Sequence, residues 1–119
     1  MKRTILTYGG YFERFMMTLT LKERRKVNYI LSLLETEDRL PVKFIKYLSD
    51  GIYELRVAYS GAAIRVFFIF DDMNLVILFN GFSKKSQKTP RSEIEKAIRL
   101  KNEYYADKRS QDQELQRGS

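Results

Sequence analysis

Cysteine and histidine are both missing from this chain of 119 residues. Without cysteine there is no disulfide and no thiolate metal site, and an intracellular, cytoplasmic home is the natural expectation. Without histidine the chain lacks the usual general base near neutral pH and the commonest metal ligand. Acid–base chemistry therefore falls to Lys, Glu, Asp or Tyr, or to the substrate itself, and no metal or cofactor is expected. Proline is scarce, at Pro41 and Pro90 only. Long apolar runs are missing too: the opening segment MKRTILTYGGYFERF has the character of neither a signal peptide nor a membrane span.

What is present is a basic, aromatic-rich domain. Twenty-two Lys and Arg against fifteen Asp and Glu give a net charge of +7. A small basic protein fits a polyanionic partner such as nucleic acid, the ribosome or an acidic protein segment, although a merely soluble surface has the same composition. The length is that of one domain, and eight Phe with eight Tyr can fill a modest core.

The pattern along the chain reads β-α-α-β-β-β-α. RTILTY (3–8) is a short strand closed by Gly9–Gly10. Phe12, Phe15, Met16 and Leu19 then recur at helical spacing. TLKE (20–23) has capping-box form, and the helix behind it turns Val27, Ile30, Leu31 and Leu34 inward and KERRK (22–26) outward. Residues 35–51 read as a connector, with Pro41 breaking the pattern and Asp50–Gly51 marking a turn. Three strands follow, IYELRVAY (52–59), AAIRVFFIF (62–70) and LVILFNGF (75–82), joined by hairpin-like links. Thr89 is placed to cap a last helix with Pro90 at its first position and Glu93 in its first turn. Periodicity fades after residue 107, so the expectation is a single domain over 1–107 and a flexible tail over 108–119. The sum is an α+β fold, a small mostly antiparallel sheet with an N-terminal helical hairpin and a C-terminal helix, with helices over one face of the sheet.

Alternation assigns the charges to faces. If the first hairpin is symmetric about Ser60–Gly61, Arg56 falls opposite Arg65; if the second is symmetric about Asp72–Met73, Arg65 falls opposite Asn80. Arg56, Arg65 and Asn80 then cross three strands on one face, with Glu54 nearby and Phe82 carrying the chain into Lys84 and Lys85. Like charges directly opposite each other cost about 0.2–1 kcal/mol. Two arginines kept there can grip a phosphate bidentately, with the lysines adding point charges. The other reading is a solvated face on which Glu54 neutralises one arginine. The KERRK segment, including Lys22 and Arg25, reads first as an outer helix face and second as a surface for RNA or the ribosome.

These residues, taken as an ordered set, resemble a known family. Glu54-Leu55-Arg56, Arg65 ahead of aromatics, Gly81-Phe82 followed by Lys84-Lys85, Thr89-Pro90 and Glu93-Ile94 are similar to the signature of RelE/ParE-superfamily toxins, most of all the HigB-like branch with its phage-derived relatives. The resemblance covers about residues 1 to 106 and implies the toxin of a type II toxin–antitoxin pair. Many such toxins enter the ribosome and cut mRNA without a metal, the RNA 2′-hydroxyl attacking the adjacent phosphate. That chemistry suits a chain without His or Cys. The resemblance implies that Arg65 holds the scissile phosphate, that Arg56 is a second basic residue, and that Lys84 or Lys85 protonates the leaving oxygen. It makes Glu54 a general base or a positioner of Arg56. By strand register and the basic helix face, Asn80, Phe82, Lys22 and Arg25 are the candidate substrate contacts. The aromatic or histidine base of several relatives has no counterpart here. Implied partners are mRNA, the ribosome and a cognate antitoxin, commonly a helix-turn-helix protein through which the pair reaches operator DNA. A ParE-like toxin that inhibits DNA gyrase by binding, or an inactive toxin-fold partner, are the alternatives.

Overall fold

The computed structural model describes residues 2–84 and 88–117. Its elements are β1 (Thr4–Thr7), α1 (Tyr11–Met17), α2 (Leu21–Thr36), β2 (Ile45–Ser49), β3 (Ile52–Tyr59), β4 (Ala62–Asp72), β5 (Leu75–Lys84) and α3 (Arg91–Arg117). The five strands form one sheet in the order β1-β5-β4-β3-β2, antiparallel except for the parallel β1–β5 pair. This is the α+β architecture read from the pattern, with one more strand. β2 is the addition. It is a short edge strand inside the segment read as a connector, and the Asp50–Gly51 turn folds it back on β3. Both turn residues have positive φ, as do Ser60 and Gly61 in the next hairpin. Two such residues in succession match the right-handed twist of the strands they join.

Helices cover both faces of the sheet, not one. α1 and α2 bury Phe12, Phe15, Val27, Ile30 and Leu34 against Leu55, Val57, Val66 and Phe68. α3 buries Ala97 and Leu100 against Ile52, Phe67, Ile69, Ile77 and Phe79 on the other side. The near-continuous apolar run of β4 has its reason here: a strand covered on both faces has no solvent side to keep polar. The capping box forms as read, Glu23 N–H donating to Thr20 Oγ1 and Thr20 N–H to Glu23 Oε1. The other end of α2 is closed by Arg3, whose guanidinium donates to the carbonyls of Leu34, Glu37 and Asp38. Such a cation satisfies the last-turn carbonyls and the negative end of the helix dipole.

The second hairpin departs from the symmetric register. Asp72 pairs with Leu75, so the turn is centred on Met73–Asn74, one residue later than expected. Asp71 is an extra residue on β4, and Phe79 with Asn80 together oppose Phe67 on β5. Each is a β-bulge, which adds a residue and reverses the alternation beyond it. The two bulges lie on opposite strands and cancel in register, so the later turn puts Arg65 opposite Phe82, not Asn80, while Arg56 lies opposite Arg65 as expected.

α3 continues to Arg117, past the point where apolar periodicity fades. Its stretch KRSQDQELQR has no Gly or Pro and is rich in residues that favour helix without a buried face. The helix is tied to the sheet by the Asp71 carboxylate. It accepts from Tyr104 at 2.6 Å and from Lys108 at 2.8 Å. Burial works against ionisation of Asp71, but the bonds from Lys108 and Tyr104 outweigh it and hold the carboxyl below its usual value. Tyr8 donates to Asp107, and that bond, with burial, raises the Tyr8 hydroxyl to about 12. Burial first, then Asp71, raises Tyr104 as well. A phenol raised above its unfolded value, near 10, adds stability that is fully present below that value and lost as pH climbs through the folded one. Melting temperature is thus expected to fall between pH values of about 10 and about 12. The fall should be shallower in the Tyr8→Phe, Tyr104→Phe double variant when followed by circular dichroism. An equally steep fall in that variant would show that these phenols are not what alkali breaks.

Candidate functional site

β3 and β4 bring the two arginines together at the end of the sheet. Arg56 and Arg65 are Cα partners across the hairpin, and the two-residue Ser60–Gly61 turn fixes that pairing. Glu54, two residues before Arg56 and so on the same face, sits between them. Its Oε1 lies 3.4 Å from Arg56 Nε and 3.6 Å from Arg65 Nε. Its Oε2 accepts from the Thr89 hydroxyl at 2.5 Å. The carboxylate is 1% exposed, the Arg65 side chain 4% and that of Arg56 37%. One buried carboxylate thus holds two guanidiniums by their Nε edges and leaves the group net positive. Arg65 Nη1 donates to the Ile64 carbonyl at 3.0 Å, which fixes the plane of the guanidinium. Burial lowers the Arg65 pKa, with Glu54 opposing and Arg56 adding to the effect. An arginine starts so high that it stays a cation regardless.

Beside this group opens a cleft of about 260 Å³ lined by Lys43, Phe44, Arg56, Ala58, Ala63 and Arg65. Ala58 and Ala63 are Cα partners, so two methyl groups replace long side chains and leave a hollow floor. Lys84 pairs with Ala63 on the next strand, and its ammonium lies 5.9 Å from the centroid of the Phe82 ring. Phe82 in turn stacks on Phe67 at 5.9 Å. The arrangement can hold an anion: cations rim a small hollow whose apolar floor competes weakly for water, and the guanidiniums are already oriented.

Of the residues singled out from sequence, Glu54, Arg56, Arg65, Phe82 and Lys84 come together here. Asn80 does not join them. The bulge turns it toward α3, where Nδ2 donates to the Glu93 carbonyl at 3.3 Å and to Glu93 Oε1 at 3.2 Å. Lys22 and Arg25 are exposed on α2, in the layer on the other side of the sheet. Lys85 lies outside the described residues. Two features escaped the sequence reading. Lys43 reaches the cleft from the 3-10 turn Val42–Phe44, which has no periodicity to report its direction. Thr89, expected as a helix cap, spends its hydroxyl on Glu54, and the Pro90 carbonyl accepts from the Glu93 and Ile94 amides at the helix start. Its neighbour in a Thr-Pro pair was the only available signal, and it pointed to the cap.

Comparison with known proteins places the chain in a family. The family of phage-derived Gp49-like proteins matches residues 14–102. The chain belongs to this family, which is a RelE/HigB-like toxin family. Among solved structures, a chain of the archaeal RelE-RelB complex from Pyrococcus horikoshii OT3 is similar at 11% identity and a TM-score of 0.49, covering 74% of this chain and 100% of that one. No curated protein matches.

Proposed function

We propose that this chain is the toxin of a type II toxin–antitoxin pair and acts as a metal-independent endoribonuclease on mRNA held in the ribosome. The observation that carries the reading is the Arg56–Glu54–Arg65 group at the rim of the Ala58–Ala63 cleft. In the reaction, the RNA 2′-hydroxyl attacks the adjacent phosphorus and gives up its proton to water. The bond from phosphorus to the 5′ oxygen breaks, leaving a 2′,3′-cyclic phosphate and a 5′-hydroxyl. Arg65 and Arg56 stabilise the charge that builds on the phosphorane oxygens, a task for preoriented donors. Lys84 supplies the proton to the departing 5′ oxygen. Glu54 is a positioning residue: with both oxygens engaged and 1% exposure, it aims the arginines and does not reach a substrate. Lys43 adds a further point charge for the flanking phosphate.

A cognate antitoxin would silence the toxin by covering this cleft or by preventing entry into the ribosome, and cytoplasmic action follows from the substrate. Mapping mRNA 5′ ends after induction in growing cells tests the reading. Breaks in codon register, with 5′-hydroxyl ends, are the expected result. Intact messages accompanied by DNA damage would replace it with gyrase inhibition, which does not need the arginine cleft.

A further inference from the structure

On the far side of β5 lies a second cleft, of about 240 Å³, between α1, the β5 bulge and the first turns of α3. It exists because β1 stops short. Pairing between β1 and β5 ends at Thr7 and Leu78, with the Tyr8 N–H on the Leu78 carbonyl, so no described strand covers the outer edge of β5 beyond that point. Tyr11, Arg14, Thr18, Asn80, Gly81 and Lys96 line the opening. Two cations from different helices converge there on one ring. The Arg14 guanidinium carbon is 4.8 Å from the Tyr11 centroid and the Lys96 ammonium 5.3 Å. Neither cation forms a salt bridge among the described residues, and the Glu13 carboxyl, held low first by Thr7, is lowered only secondarily by Arg14. The Arg14 guanidinium donates to the Gly9 carbonyl at 3.3 Å.

A second observation is independent of that charge. Asn80 is 3% exposed and lines the same cleft, yet among the described residues its Oδ1 has no hydrogen-bond partner. The amide cannot be turned round to mend this, because Nδ2 is held by two acceptors of Glu93, the carbonyl and Oε1. A buried acceptor without a donor is rare enough in folded proteins to ask for a reason. A ligand suited to this cleft needs an anionic group for Arg14 and Lys96 and, close by, an N–H or O–H group for Asn80. A phosphate attached to a ribose and base has both. Thr18 adds a hydroxyl that already donates to the Phe15 carbonyl and so is left to accept.

We propose that this cleft binds a nucleotide, its phosphate between Arg14 and Lys96 and its ribose or base donating to Asn80. The site is separate from the arginine cleft and does not depend on RNA cleavage there. The nucleotide is either free or one unit of an RNA strand. Titration of the isotope-labelled chain, followed by amide resonances, tells these apart. The probes are 5′-AMP, inorganic phosphate and a 2′-O-methylated RNA hexamer that cannot be cut. Shifts at Thr18, Gly81 and Lys96 with 5′-AMP mark a free-nucleotide site, and shifts there with the hexamer alone mark a strand site. In either case the Arg14→Gln, Lys96→Gln double variant should weaken binding at these amides at least tenfold and leave shifts around Ala63 unchanged. Both replaced side chains are at the surface rim, and an unchanged melting temperature verifies the fold. The proposal is overturned if neither nucleotide probe moves these amides, if the double variant binds as the parent does, or if inorganic phosphate binds as tightly as 5′-AMP, since Asn80 would then have no part.

Discussion

Arg65→Lys is expected to lower RNA cleavage by about 10²–10³-fold, the usual loss when one preoriented donor to a developing oxyanion is removed. Lysine keeps the charge beside Glu54 but gives up the planar fork that Arg65 presents with its Nε on the carboxylate and its Nη1 on the Ile64 carbonyl. The variant therefore separates catalysis from stability. Arg65→Ala would not, because taking a cation from a buried carboxylate costs up to about 3–5 kcal/mol. In cells, Arg65→Lys should relieve growth inhibition while the purified protein melts within a few degrees of the parent. A folded Arg65→Lys variant that still arrests growth and still cuts RNA would remove Arg65 from the chemistry and with it the role assigned to the cleft. Under gyrase inhibition by binding, by contrast, toxicity should survive this change.

Gly81→Ala should be the more damaging change to the fold. A Cβ at this position would stand 2.5 Å from Phe15 Cδ2 and 2.7 Å from the Arg65 carbonyl oxygen. Phe15 is packed in the α1–α2 core and the carbonyl belongs to the β4–β5 ladder, so neither neighbour can give way easily. Overpacking of this kind costs about 1–3 kcal/mol. In a domain of this size each kcal/mol lowers the melting temperature by roughly 4 °C. The same displacement reaches the site, because Val66 pairs with Gly81 and Arg65 is the next residue along β4. Thermal melts and cleavage assays should therefore decline together. Phe15→Leu, placed in the Gly81→Ala background, removes the ring atoms that clash and should recover part of both. If Gly81→Ala melts like the parent, the close approach of α1 to β5 is wrong.

Much of this was legible in the sequence because it is local. Thr20 and Glu23 are three residues apart, and their reciprocal bonds need nothing beyond the first turn of α2. Ser60–Gly61 fixes the β3–β4 register, since two successive residues of positive φ admit one tight turn, and that register alone puts Arg56 against Arg65. Alternation along IYELRVAY puts Tyr53 on the face away from the arginines, and it packs there against Phe68 and Phe70. Asn80 shows the limit of such reasoning. Simple pairing carried it to Arg65, but the turn sits one residue later and puts Phe82 there, and Asn80, in the bulge with Phe79, bonds Glu93 instead.

The sequence by itself determined the order of elements, the caps, the first hairpin and the identity of the two facing arginines, because periodicity and turn chemistry act over a few residues. Tertiary structure decided what surrounds them. It set the bulges that reverse alternation along β5, the placement of α3 on its own face of the sheet, the arrival of Lys43 from a turn without periodicity, and the contact of Thr89 with Glu54 across thirty-five positions. These rest on packing between segments distant in the chain, where the free energy belongs to the contact and neither segment carries a local sign of it.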